Sequence, residues 1–327
     1  MGLQEPFAGA PQALRALMRR LGPVWSTDLR RHSELVKQAY RPLLEAAAGR
    51  GGVTVLRDRR YGSHERQVLD VFLPDATGGE ARAGQPPRDG DPGRPRALLV
   101  FAHGGAFVRG DRSSDHGIYD NVLRWFARQG CIGINVEYRR APQAPWPAGA
   151  DDVAGALEWV VANAAQFGGD GLPVFLMGHS AGGTHVASYA WDPACGYFGR
   201  HLAGIVLVSA RLRADASAAN PNAEGVRAYF GTDEARYQAL SPVTHCAASA
   251  LPVFIAVAEH ENPLLDVYGL EAAWRLGEAR GSAPRFLTMM EHNHMSIVAH
   301  FDTGEDVLGR EILAFVDATS RRSPPSG

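Results

Sequence analysis

The segment Gly178-His179-Ser180-Ala181-Gly182 follows the apolar run VFLM and opens a stretch compatible with a helix as far as Ala190. A strand that turns sharply into a helix at a serine lifts the hydroxyl out of the sheet edge. Small residues two positions either side let strand and helix approach each other. The helix start aims its first amides and the positive end of its dipole at the same point. That geometry suits a nucleophilic serine, Ser180. A dinucleotide loop fits poorly, because the glycine spacing differs and the segment comes late in the chain. A second glycine cluster, His103-Gly104-Gly105-Ala106-Phe107, directly follows ALLVFA. Glycine lets backbone amides approach a ligand with no Cβ in the way. Acyl transfer needs donors aimed at the oxygen that gains charge. Gly104 and Gly105 are expected to supply such amides, with Ala181 supplying another. His103 is expected to brace this loop rather than to act as a base. Phe107 either meets an acyl group or anchors the loop.

The sequence holds 12 histidines, so a base must be selected. When a serine on such an elbow is served by an acid and a histidine, the chain order is nucleophile, acid, histidine. The base is therefore expected beyond the last apolar run, RFLTMM, which leads into Glu291-His292-Asn293-His294-Met295-Ser296. His292 and His294 both qualify by position, and residues two apart at a strand end point in opposite directions. The acid is expected beyond PVFIAVA, which leads into Glu259-His260-Glu261-Asn262-Pro263-Leu264-Leu265-Asp266. Position favours Glu261. Glu259 lies closer to the sheet, and Asp266 falls in the first turn of a helix, where the dipole favours a negative charge. Glutamate can do the work of aspartate here, because the acid orients the imidazole and stabilises its protonated form.

Something must hold these loops in register. From Ala97 onward, apolar runs (ALLVFAH, CIGINVEY, VFLMG, AGIVLVSA, PVFIAVA, RFLTMM) alternate with helical stretches such as Asp151–Phe167. Near-continuous apolar strands separated by helices indicate an α/β fold whose mostly parallel sheet is covered on both faces. Val53–Arg57 and Gln67–Leu73 add an antiparallel pair at one edge, which makes an eight-stranded sheet. Two N-terminal helices, within residues 1–50, come before any strand and either cap the site or cover a sheet face. Residues 51–320 form the catalytic domain. The stretch 211–241 has no strand period and is a candidate second cap insertion. Residues 77–95 read as a surface loop and 321–327 as a flexible tail.

The chain has 327 residues, with 45% apolar and 21% charged side chains and a net charge of −2. That is enough for one large soluble domain, with no basic footprint for nucleic acid. Cys131, Cys195 and Cys246 form neither a disulfide framework nor a thiolate metal site. With no secretory leader and no apolar run of membrane-spanning length, a soluble, cytoplasmic protein is expected. A homodimer through an edge strand or a terminal helix is compatible with this pattern.

Taken together, FAHGGAF (101–107), NVEYRRAPQAPWPAGADD (135–152), GHSAGG (178–183), YFG (229–231) with SPVTH (241–245), and HNHMS (292–296) resemble the α/β-hydrolase superfamily. The resemblance is to its hormone-sensitive-lipase-like carboxylesterases and arylformamidases (kynurenine formamidases), and it covers roughly residues 50–318. It implies the α/β-hydrolase fold with a small helical cap, and hydrolysis of a small ester through an acyl-enzyme, without metal or organic cofactor. Amide, formamide or carbamate hydrolysis is the alternative, and a non-catalytic ligand-binding protein on the same fold is the alternative of another class. The resemblance places the oxyanion loop on Gly104 and Gly105 and the nucleophile on Ser180. It places the base on the second histidine of HNH, His294. The stretch Tyr138–Asp152 is implied to position the oxyanion turn. Two positions depart from the family pattern. Glu261 stands where aspartate is commoner, with an extra residue before Pro263, and Ala106 stands where a third glycine is common. Trp25, Trp146, Phe230 and Tyr268 line a pocket or belong to the core, the core being favoured for each.

Overall fold

The computed structural model describes residue 7 and residues 9–75, 95–113 and 117–321. Among them eight strands form one sheet: β1 (Val53–Arg60), β2 (Val68–Pro74), β3 (Leu98–Ala102), β4 (Ile132–Val136), β5 (Val174–His179), β6 (Leu202–Val208), β7 (Val253–His260) and β8 (Arg285–Asn293). Their spatial order is β1-β2-β4-β3-β5-β6-β7-β8. β1 pairs with β2, and β2 with β4, antiparallel. Every pairing from β4 to β8 is parallel. The strands that read as unbroken apolar runs, β3, β4 and β5, are buried at every residue. Both of their faces are covered, and this removes the polar alternation of a half-exposed sheet.

The period of two is visible in what each face meets. Leu99 and Phe101 join one core with Met18, Val36, Phe126 and Ile312. These come from α1 (Gln12–Leu21), α2 (Leu29–Ala48), α3 (Asp120–Arg128) and α10 (Val307–Ser320). Leu98 and Val100 face the other core, with Val153, Leu157, Val186 and Ala272. These come from α4 (Ala148–Asn163), α5 (Ala181–Trp191) and α8 (Leu265–Arg280). The two N-terminal helices therefore cover a sheet face. The 3-10 turn between them, Gly22–Thr27, packs on β7 and β8 near the ends that carry the acid and base loops. α2 starts where Asp28 accepts a hydrogen bond from the Arg31 amide, satisfying one of the free amides of its first turn.

Beyond β6 the chain forms α6 (Ala223–Phe230) and α7 (Tyr237–Leu240) before returning to β7. Their apolar side chains Val226, Tyr229, Phe230, Tyr237 and Leu240 build a small third core with Phe107 and Ala141. The short α9 (Ser296–Ala299) follows the histidine loop. Most of the 77–95 loop and all but one residue of the 321–327 tail lie outside the described residues.

Three buried histidines make stability depend on acidity. His179, His185 and His300 are at most 1% exposed. Burial pushes His185 down to about 3 and His300 to about 4, and drives His179 well below the usual imidazole range. In the unfolded chain all three titrate near 6.5. Between those values the unfolded state binds more protons, so acid favours unfolding. Stability is expected to be intact above pH about 6.5. It should then fall by about 1.4 kcal/mol per pH unit for each such histidine until pH about 4. Urea midpoints measured at pH 7, 6 and 5 check this, and a flat profile between pH 6 and 5 contradicts it.

Candidate active site

β5 ends and α5 begins at Ser180, whose backbone is held at φ 55°, ψ −119°. A non-glycine residue adopts such a conformation only when its surroundings enforce it. Here the Ser180 amide donates to Val208 O at 3.1 Å, and Ser180 O accepts from the Arg211 amide at 3.1 Å. Strand and helix come close enough that a Cβ on Gly182 would lie 2.2 Å from Ala102 O. The GHSAG spacing is thus a packing requirement as well as a motif.

The 103–107 loop leaves β3 beside this elbow. A Cβ on Gly104 would sit 3.1 Å from Ser180 Cβ, and one on Gly105 only 1.8 Å from Arg109 O, at φ 152°. Among the described residues no hydrogen bond takes up the amides of Gly104 or Gly105. The loop is braced from below. His103 Nδ1 lies 2.7 Å from Gly104 O and its Nε2 3.1 Å from Glu137 Oε1. Tyr138 donates its hydroxyl to His103 O at 2.7 Å. Glu137 also pairs with Arg66 and accepts from the Arg112 amide. Burial alone would raise its pKa, but these partners together hold it below the usual carboxylate range. Phe107 is 1% exposed and stacks on Tyr229 at 4.6 Å, so it anchors the loop to α6. Arg139 and Asp152 tie the ends of the Tyr138–Asp152 stretch together at 2.8 Å.

On the opposite side, His294 Nε2 stands 3.1 Å from Ser180 Oγ, and His294 Nδ1 stands 2.7 Å from Glu261 Oε2. An ionised carboxylate only accepts, so the proton of the neutral ring resides on Nδ1 and the Nε2 lone pair faces the hydroxyl. Glu261 is itself fixed, since Oε1 accepts from the Ala258 amide at 2.9 Å. The rival candidates lie elsewhere. His292 is engaged by Ser296 Oγ at 3.1 Å and Glu305 Oε1 at 3.0 Å. Glu259 accepts from the Glu291 amide at 2.6 Å, and Asp266 sits in the first turn of α8. This arrangement can take a proton from Ser180, hold the imidazolium against Glu261, and return the proton to a leaving group.

Two supporting contacts were not legible in the sequence. His179, next to the nucleophile, donates from Nε2 to His294 O at 3.0 Å and accepts from Tyr119 through Nδ1 at 3.3 Å. Its signal was a polar residue inside an otherwise apolar strand. Trp25 donates from Nε1 to Asn262 Oδ1 at 2.9 Å, tying the N-terminal turn to the residue after Glu261. Trp25, Phe230 and Tyr268 are buried, while Trp146 is half-buried. Among the described residues no group of three or more His, Cys, Asp or Glu side chains is arranged to hold a metal ion, and no helix is long and apolar enough to cross a membrane.

The sequence profile of the alpha/beta hydrolase fold family matches residues 99–295, which carry Ser180, both glycine loops and His294. The chain belongs to this family. Esterase LipC of Mycobacterium tuberculosis is 35% identical to this α/β hydrolase over 130 residues, 40% of this chain and 28% of LipC. The gibberellin receptor GID1 of Oryza sativa subsp. japonica is 36% identical over 160 residues, 47% of this chain and 38% of the receptor. The matched segments thus span well under half of these relatives. The crystal structure of esterase B from Lactobacillus rhamnosis shares the fold with a TM-score of 0.67 at 18% identity, covering 95% of this chain and 98% of that one.

Proposed function

We propose that this α/β hydrolase is a serine esterase that cleaves carboxylic esters of small acyl or aryl groups through an acyl-enzyme. The observation that carries the reading is the relay Ser180–His294–Glu261, with links of 3.1 and 2.7 Å, at a strained strand–helix elbow. Ser180 Oγ attacks the ester carbonyl as its proton passes to His294 Nε2. The amides of Gly104, Gly105 and Ala181 receive the oxyanion. The C–O bond to the alcohol then breaks, and His294 protonates the departing oxygen. Water, deprotonated by the same imidazole, attacks the acyl carbon and releases the acid and the free serine. Similarity to esterase LipC supports the reaction class. The N-terminal turn and the 211–241 segment are proposed to act as the cap, since one touches the acid loop and the other the oxyanion loop.

Similarity to a gibberellin receptor keeps a binding role on the same fold as a competing outcome. A fluorophosphonate probe separates the two. Intact-protein mass is expected to rise by one adduct, mapped to the Ser180 peptide, with none in Ser180→Ala. A wild-type protein that takes up no adduct would favour the binding role.

A further inference from the structure

Arg211 follows β6 and lies directly beside the nucleophile, its amide donating to Ser180 O at 3.1 Å and its carbonyl accepting from Thr184 Oγ1 at 2.5 Å. Its side chain runs into the protein, leaving the residue 4% exposed. Nη2 donates to the neutral amide oxygen of Asn220 at 3.2 Å. Nη1 is buried and has no hydrogen-bond partner among the described residues.

The half-buried Arg66, Arg112, Arg128 and Arg139 are paired with carboxylates, while Arg124 lies over the Phe72 ring and Arg280 donates to the Ser249 and Leu251 carbonyls. Arg211, more deeply placed, has no carboxylate within ion-pair distance among the described residues. The acidic groups that face it act from further off and are already occupied. Asp215 accepts from Tyr268 Oη at 3.0 Å and from the Ser217 amide at 2.9 Å, and Glu261 is bonded to His294. A guanidinium stays charged in proteins and presents a planar fork that matches a carboxylate. Burying it with an open donor, on a residue whose backbone is bonded to the reactive serine, is unfavourable unless something anionic completes it.

We propose that Arg211 is a specificity residue that binds a carboxylate carried by the substrate, so that the preferred esters are anionic ones. The shared chemistry is a carboxylate tethered to the scissile ester, on the acyl side as in a half-ester of a dicarboxylic acid, or on the alcohol side. The inference rests on the serine-esterase reading.

The test compares kcat/KM on matched pairs. In the acyl arm, 4-nitrophenyl hydrogen glutarate is set against 4-nitrophenyl valerate. In the alcohol arm, 4-carboxyphenyl acetate is set against its methyl ester. In one arm the wild-type enzyme is expected to favour the anionic member by about 10-fold or more, and the favoured arm identifies the side. Arg211→Met should lower that anionic-to-neutral ratio by about 30-fold or more, and Arg211→Lys by less, because the point charge remains without the fork. Glutarate should inhibit the wild-type enzyme competitively. A wild-type preference for the neutral member in both arms overturns the proposal. So does an equal loss on both members in Arg211→Met and Arg211→Lys, which would mark Arg211 as structural. The wild-type ratios and glutarate inhibition decide the matter even if Arg211→Met does not fold. Failure of the esterase reading is distinguishable, because it would abolish turnover of the neutral esters and fluorophosphonate labelling as well.

Discussion

Ser180→Ala is expected to lower kcat on an aryl acetate by about 10⁴- to 10⁶-fold, the range in which removal of a nucleophile leaves only binding and oxyanion stabilisation. The hydroxyl is the atom that His294 Nε2 approaches at 3.1 Å, and among the described residues no other hydroxyl hydrogen-bonds that nitrogen. The substitution keeps a Cβ, so the backbone strain at φ 55° is retained, as are the amide contacts to Val208 and Arg211. Thermal stability should therefore barely change while turnover collapses. Steady-state kinetics with a parallel melting curve check both halves. A variant that keeps more than about a tenth of wild-type kcat would remove Ser180 from the proposed chemistry.

The parts of this site that were legible in the sequence are those whose chemistry demands particular residue types at short range. The glycines around Ser180 were legible because strand and helix touch there, Gly182 being backed by Ala102 O. The inner strands were legible because burial on both faces leaves no polar alternation, as β3, β4 and β5 illustrate, whereas the edge strands β1 and β8 are partly exposed. Residue spacing alone left His292 and His294 tied. The structure separates them by what each ring meets, Glu305 for one and Ser180 for the other. Contacts across long sequence separations were not legible. Nothing near Trp25 points to Asn262, 237 positions away, and nothing near His179 points to the carbonyl of His294. The N-terminal helices were ambiguous for the same reason. Their apolar stripes fit either a cap or a sheet cover, and only packing shows Met18 and Val36 in the core that also holds Phe101.

The glutamate in place of the commoner aspartate gives the second large effect. Glu261 reaches His294 Nδ1 at 2.7 Å while its other oxygen is held by the Ala258 amide at 2.9 Å. Both oxygens are therefore committed, Oε2 to the ring and to the Asn262 amide at 3.2 Å, and Oε1 to the strand end that sets its position. In Glu261→Gln one carboxamide oxygen must stand in for two acceptors, since the Ala258 amide donates on one side and the Asn262 amide and His294 Nδ1–H donate on the other. Whichever way the group turns, its NH₂ faces a donor. Turned toward His294, the NH₂ cannot accept from Nδ1–H, and the ring must carry its proton on Nε2, which removes the lone pair that Ser180 needs. On the proposed mechanism kcat is expected to fall by up to about 10⁴-fold, since the orienting charge is lost in either orientation and the correct tautomer is lost in one of them. Glu261→Asp keeps the charge but is one methylene too short to serve both partners, and should lose about 10²-fold through misplacement alone. The order is the diagnostic feature. A charge-retaining variant that outperforms the isosteric neutral one assigns the work of residue 261 to its carboxylate. If Glu261→Gln instead kept most of its activity, the orienting acid would have to be sought elsewhere, with Glu259 and Asp266 as the next residues to substitute.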